Sequence, residues 1–228
     1  MFSQALVRGR NARGYSQVKA AKALGVSQSY LSMLETGDRE ATVALARKAF
    51  RVYRLSPALL PLPAELRAKA GPVDLVAELA ALGFAGFARG KKRPARNPAQ
   101  VLLAALARKD LDARLTEALP WLLLKHPGLD WQWMVRQAKL NDLQNRLGYV
   151  ASLARRYAEA HAEHAAKAAT LVRLEAALEP SRLQREDTLC RESMTEPERQ
   201  WLRQARPPEA AHWNLLTGLT PGQLRYEE

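Results

Sequence analysis

Residues 16–35 read S-Q-V-K-A-A-K-A-L-G-V-S-Q-S-Y-L-S-M-L-E, and the organisation of the first part of the chain follows from this stretch. Ser16 suits an N-cap, because its hydroxyl can accept an amide proton that a helix start leaves unpaired, and residues 17–24 have helical composition. Gly25 reaches positive φ without strain and so turns the chain, and Ser27 caps a second helix. Ala20, Ala21, Leu24, Val26, Leu31 and Leu34 fall where two short, steeply crossing helices bury side chains against each other, and Ala21 permits close approach. Gln28, Ser29, Ser32 and Met33 are left on the outer face of the second helix.

The pattern extends past these two helices. Gln17, Ala21, Gly25, Val26, Ser27, Leu31, Leu34, Glu35, Gly37 and Arg39 bring polar, small and apolar positions into one register. In that register the segment resembles the Cro/repressor (XRE-type) helix-turn-helix DNA-binding domain, over residues ~2–60 or roughly a quarter of the chain. The resemblance implies that Gln17 and Ser27 grip DNA phosphates and that Gln28 and Ser29, opening the recognition helix, reach base edges, with Ser32 on the same face. The chemistry agrees, since Gln pairs bidentately with adenine in the major groove and Ser donates or accepts. Met33 either touches a thymine methyl or packs inward. Thr36 and Arg39, in the T-G-D-R loop at 36–39, are further phosphate candidates. Two positions depart from the family pattern: Ala41 stands where a Pro is common, and Tyr15 where an aliphatic residue is usual.

The 228 residues suffice for one large or two ordinary domains, and the 47% hydrophobic content is that of a globular protein. Ala, Leu, Arg and Glu are abundant, strand-favouring residues are sparse and no period-2 stretch stands out, so an all-α fold is expected. The one cysteine, Cys190, excludes an intramolecular disulfide and fits a small core residue in a reducing compartment. No apolar run approaches the ~20 residues that span a bilayer and no secretory signal is evident, so a cytoplasmic, nucleoid-associated protein without membrane contact is expected.

The net charge of +12 is unevenly placed. Residues 1–110 hold 19 Lys+Arg against 7 Asp+Glu, whereas residues 111–228 hold 16 of each. A polyanion docking on the N-terminal half is the reading this asymmetry supports beside the motif, and double-stranded DNA is the partner it implies.

Before the motif, residues 2–13 form a first helix with Phe2, Leu6 and Val7 inward, Arg8, Arg10 and Arg13 facing solvent, and Gly9 weakening its middle. After it, a helix spans residues 41–53, and Ser56-Pro57 opens a short fifth helix through Leu60. These complete a five-helix lambda-repressor-like domain over residues 1–62. Pro61 and Pro63 begin a linker, 63–71, and a larger helical domain occupies 72–228. Helices are expected after Gly71-Pro72 and after Asn97-Pro98. Between them, G-F-A-G-F-A-R-G at 83–90 is a turn with two buried phenylalanines rather than a phosphate loop, since the G-K-[ST] ending is missing. The densest positive cluster, G-K-K-R-P-A-R-N-P at 90–98, is either a solvated connector or an arm that places Lys91, Lys92 and Arg93 on phosphates. Residues 111–124 continue helically, with Pro120 as a kink or break.

Residues 130–178 contain no proline and one glycine, and read as a long helix or a helical hairpin. Leu140, Leu143, Leu147, Val150, Ala154 and Tyr157, continued by His161, His164, Ala168, Leu171, Glu175 and Leu178, recur at threes and fours as a heptad seam. Its second half, with two histidines and a glutamate, is expected to break. The seam closes either on another subunit or on the chain's own helices. A homodimer seam over Leu140–Tyr157 is the expectation, because repressors of this kind read two half-sites about one DNA turn apart. T-E-P-E at 195–198 is a capping box that starts a helix with Trp201 and Leu202, and residues 210–216 form a short apolar element.

These readings favour a sequence-specific transcriptional regulator, an autoregulating repressor on a palindromic operator. The alternative is an antitoxin whose C-terminal domain neutralises a cognate toxin while its N-terminal domain represses the operon. Catalysis is not expected, since no Ser/His/Asp order or phosphate loop stands out and the four histidines lie in unrelated contexts. No cofactor or metal is expected either. His161-x-x-His164 could share a metal, but no third ligand is evident.

Overall fold

The computed structural model describes residues 2–66, 73–87, 95–126 and 128–226. Apart from two strands of two residues each, its regular elements are helical, as the composition predicts. The described chain forms two compact units: residues through Pro63 together with Ala95–Asn97, and the remainder from Ala64 onward.

The first unit contains α1 (Phe2–Ala12), α2 (Gln17–Leu24), α3 (Gln28–Thr36) and α4 (Val43–Tyr53). Its helices begin where short hydroxyl side chains can cap them. Ser16 accepts from the Lys19 N–H, Ser27 from Tyr30 and Thr42 from Leu45. α2 and α3 end on Gly25 and Gly37, both left-handed, with φ of 69° and 91°. The core gathers Leu6, Ala20, Ala21, Leu24, Leu31, Leu34, Ala49 and Tyr53. Gly9 strengthens this packing instead of weakening α1, because a Cβ there would stand 2.5 Å from Leu55 Cδ2 and 2.9 Å from Tyr53 Cβ. The expected fifth helix is one 3₁₀ turn, Pro57–Leu59. Leu60 precedes Pro61 and is extended, which stops the helix there.

The linker expected over 63–71 is not free where it is described. Leu66 is buried, its N–H donates to Gln137 Oε1 at 2.7 Å, and Gln137 Nε2 donates to Ala64 O at 3.0 Å. Ala95–Asn97 belong with the first unit, where the Asn97 amide donates to Ala58 O and Leu60 O at 3.0 and 2.7 Å. Residues 67–72 and 88–94 lie outside the described residues.

The second unit contains α5 (Leu75–Leu82), α6 (Pro98–Leu106), α7 (Ala113–Lys125), α8 (Trp131–Leu140), α9 (Gln144–Ala160), α10 (Ala165–Leu178), β1 (Asp187–Thr188), α11 (Glu196–Ala205), α12 (Pro208–His212) and β2 (Leu215–Leu216). Asp74 and Thr195 take the expected N-terminal positions of α5 and α11, and the capping box at Thr195 is complete. Helix α7 runs through Pro120, which is buried. Phe84 and Phe87 are half-buried and in contact, with Phe84 edge-on to Trp121. β1 and β2 pair in parallel, Asp187 with Leu215 and Thr188 with Leu216, a ladder too short to leave a period in the sequence.

The stretch 130–178 is broken twice. Asp142, at φ 56°, turns α8 into α9, and the helix stops again at His161 before α10. α9 and α10 pack together as a hairpin at the centre of the unit. The seam assigned to a dimer is therefore spent within the chain: Leu143, Leu147, Val150, Ala154 and Tyr157 are all buried there, and Leu140 instead points outward at 67% exposure. One polar seam position is explained by its partners. Glu175 accepts from Arg155 Nε at 2.7 Å and from Ser152 Oγ at 2.9 Å, and Trp213 Nε1 in turn donates to that hydroxyl. The ring of Trp213 fills the space where a Gly148 Cβ would stand, 2.5 Å from that position.

Candidate nucleic-acid interface

The recognition surface rests on the turn between α2 and α3. Gly25 donates its N–H to the end of α2 and Val26 N–H to Ala21 O, so the two helices are joined through a fixed left-handed residue. A side chain is disfavoured at Gly25 by its φ of 69°, and the Lys48 ammonium lies 2.8 Å from where a Cβ would stand. Lys48 thereby sets a cation beside the turn, a residue that no local signal separates from the other lysines.

At the start of α3, Gln28 and Ser29 are exposed. Ser27, also exposed, holds the Tyr30 N–H at 3.2 Å, and its hydroxyl lies 3.2 Å from that of Ser29. The first amides of α3 are thus presented at the positive end of a capped helix, a favourable setting for phosphate. Ser32 and Met33 are half-buried.

The remaining phosphate candidates differ in their freedom. Arg39 is exposed, and its backbone N–H closes on Met33 O at 3.1 Å. Gln17 is half-buried and donates one of its two amide protons to Glu35 Oε2 at 2.9 Å. Thr36 is exposed, but its single hydroxyl proton is claimed by Asp38 Oδ2 at 2.6 Å or by the Ser32 and Met33 carbonyls. A phosphate would have to displace a carboxylate there, so Thr36 is poorly placed as a donor. Lys91, Lys92 and Arg93 lie outside the described residues.

Arg10, expected in solvent, is turned inward. Its guanidinium donates to Glu35 at 2.6 and 3.1 Å and to Tyr15 O at 3.0 Å, and the bonds to Glu35 raise its pKa above the ordinary range. Arg10, Glu35 and Gln17 therefore tie α1, α3 and α2 behind the outer face, with the Glu35 side chain only 5% exposed. An arginine flanked by Arg8 and Arg13 carries nothing in sequence to reveal this role. Residues 1–63 hold ten Lys+Arg against three Asp+Glu, and Arg8, Lys19, Lys22, Arg51 and Arg54 are exposed. Lys19 lies over the Tyr15 ring at 4.7 Å.

The second unit offers less chemistry. Among the described residues no group of three or more His, Cys, Asp or Glu is placed to hold a metal. His161 stacks on Tyr157 at 3.9 Å, with Nδ1 2.8 Å from Tyr157 O, and His164 Nδ1 lies 3.0 Å from Lys167 Nζ. Cys190 is buried and burial pushes its thiol up to about 11. No described helix is long and apolar enough to cross a membrane.

No curated protein and no solved structure matches the chain. One family model does, described as helix-turn-helix, over residues 7–60. It spans α2, the Gly25 turn and α3 with the surrounding helices, the same elements that carry Gln28 and Ser29. Residues 7–60 are accordingly a helix-turn-helix domain of the Cro/repressor (XRE) type, the DNA-binding part of a transcription regulator.

Proposed function

We propose that the protein is a sequence-specific repressor that reads its operator with α3 and blocks polymerase at the promoter it occupies. The observation that carries this reading is the exposure of Gln28 and Ser29 at the capped start of α3, held there by the Gly25 turn. Gln28 reads a base, Ser29 assists, and Ser32 and Met33 border the same contact. Gln17, Ser27 and Arg39 grip the backbone, and the basic first unit supplies the salt-dependent affinity. The operator is palindromic, with half-sites about 34–36 Å apart for two copies. The second unit carries no catalytic role in this reading and serves to receive a signal or partner.

The test is fluorescence anisotropy on DNA from upstream of the gene against scrambled DNA, at several salt concentrations. Upstream DNA should bind at least about a thousandfold tighter. Gln28→Ala should cost about 1–3 kcal/mol on the operator and relax preference at one base pair. Arg39→Ala should instead weaken binding to both DNAs and flatten the salt dependence. Equal losses from Gln28→Ala on both DNAs would remove it from base reading.

A further inference from the structure

α8 and α10 of the second unit pack side by side and leave a groove of about 780 Å³ between them. Its apolar part comes from Trp131, Val135 and Leu140 on α8 and from Leu174 and Ala177 on α10. Leu174 is buried and forms the floor, whereas Leu140 stands at 67% exposure on the wall. An apolar side chain that exposed, in one groove with a tryptophan and a buried floor, marks an unfilled surface rather than a scattered leucine.

The charge around the groove has one sign. Arg136 and Lys139 on α8 and Arg173 on α10 line it, and none of the described lining residues is acidic. Several other arginines of this unit are matched: Arg155 meets Glu175 and Glu159, Arg156 meets Glu209, and Arg203 meets Glu186 and Glu196. Among the described residues the three cations of the groove make no ion pair, and Arg173 bonds there to Ala169 O at 3.4 Å. The balanced charge of residues 111–228 thus conceals a local positive rim around an apolar floor.

We infer that this groove docks an acidic amphipathic helix from a partner protein. A furrow between two neighbouring helices is shaped for the stripe of a third. From Trp131 to Leu140 it runs about 14 Å along α8, room for anchors at i, i+3 or i+4, and i+7. The carboxylates of the partner flank those anchors and meet Arg136, Lys139 and Arg173. A second copy of this chain would bring two sets of cations together, so charge argues against self-association through this face. The inference is independent of the DNA reading, since it concerns only residues of the second unit.

The test pans a displayed library of 16-residue peptides on the full-length protein, counter-selecting with Leu140→Asp. Selected peptides are then synthesised and titrated. They should be acidic, with large apolar residues at helical spacing. Leu140→Asp should weaken them at least tenfold. Lys139→Glu with Arg173→Glu should weaken them similarly and favour versions in which Lys replaces Glu. Leu140, Lys139 and Arg173 are exposed, so circular dichroism and operator binding should match the unmodified protein. Three outcomes would overturn the inference: peptides without acidic enrichment or indifferent to both variants; self-association in sedimentation that Leu140→Asp abolishes; or groove-dependent binding of dodecanoate with no peptide selected.

Discussion

The two units handle buried polar groups differently. In the first unit the caps reach only two or three residues along the chain, and the longer-range polar ties among the described residues include the cluster of Arg10, Glu35 and Gln17 and the bonds of the Asn97 amide to Ala58 O and Leu60 O. In the second, α9 carries Gln144, Asn145, Arg146 and Ser152 into the interior, each matched by a group far away in sequence. Gln144 donates to Ser181 O, Asn145 both donates to and accepts from Leu183, and Ser152 accepts from Trp213 Nε1. Arg146 binds Asp187 through two bonds of 2.7 and 2.8 Å and donates to Leu106 O and Arg108 O at 2.8 Å. A unit fixed by local caps can leave its outer face free for recognition. A unit fixed by distant buried partners concentrates its stability at a few side chains, where single substitutions cost most.

The sharpest way to break this contrast is Arg146→Met. Burial works against the guanidinium charge, and the bonds to Asp187 with the nearby Glu192 outweigh it, so the pKa lies above the ordinary range. Methionine fills similar volume but leaves Asp187 and two carbonyls without their donor, a loss of about 4 kcal/mol. All five tryptophans, Trp121, Trp131, Trp133, Trp201 and Trp213, lie in the second unit, so urea denaturation followed by tryptophan fluorescence reports this unit alone. A midpoint unchanged from the parent would show that α9 does not depend on its buried charge. Gly148→Ala comes next. The added methyl meets three ring atoms of Trp213 within 2.6 Å, and overpacking of a fully buried indole should cost about 3 kcal/mol by the same measurement.

A smaller effect depends on pH. His126 is buried beside Trp121, with no partner for Nε2 among the described residues, and burial with the nearby Lys125 pushes its pKa down to about 4. The unfolded chain takes up this proton near pH 6.5, while the folded unit resists until about 4, so stability falls as pH drops through that window. The loss should reach about 2 kcal/mol between pH 7 and pH 5. His126→Gln, which cannot be protonated, should flatten this part of the stability profile. An unchanged slope would place the acid sensitivity on other groups.

The same contrast explains what could be read from sequence. Ser16, Gly25, Ser27, Gly37 and the Thr195 capping box act on neighbours two to five residues away, so residue type and spacing reveal them. Leu143 to Tyr157 showed a correct apolar period, but a period names a buried face and not its partner. α10 and the rest of the second unit take that face. Arg10 and Arg146 were indistinguishable from surface arginines because their carboxylates lie 25 and 41 residues away. Glu175 looked like a break in the seam for the same reason, with Arg155 and Ser152 supplied across the hairpin. In the interface, residue identity pointed to Gln28 and Ser29. The competition of Asp38 for the Thr36 hydroxyl required coordinates.

Ser27 offers the finest test, because in the first unit one side chain holds a local cap and faces the proposed DNA contact. Ser27→Ala removes the acceptor for the Tyr30 N–H and should cost about 1 kcal/mol. Amide exchange at Tyr30 should quicken accordingly. Ser27→Asp separates the two roles. A carboxylate caps the helix at least as well and is favoured at the positive end of α3, so stability should return to the parent value or above. The same negative charge repels a phosphate, so binding to operator and scrambled DNA should both weaken, with the loss shrinking as salt rises. If Ser27→Asp restores stability and binds DNA as well as serine does, Ser27 is a cap alone. The grip on the backbone then falls to Arg39, Gln17 and the amides at the start of α3.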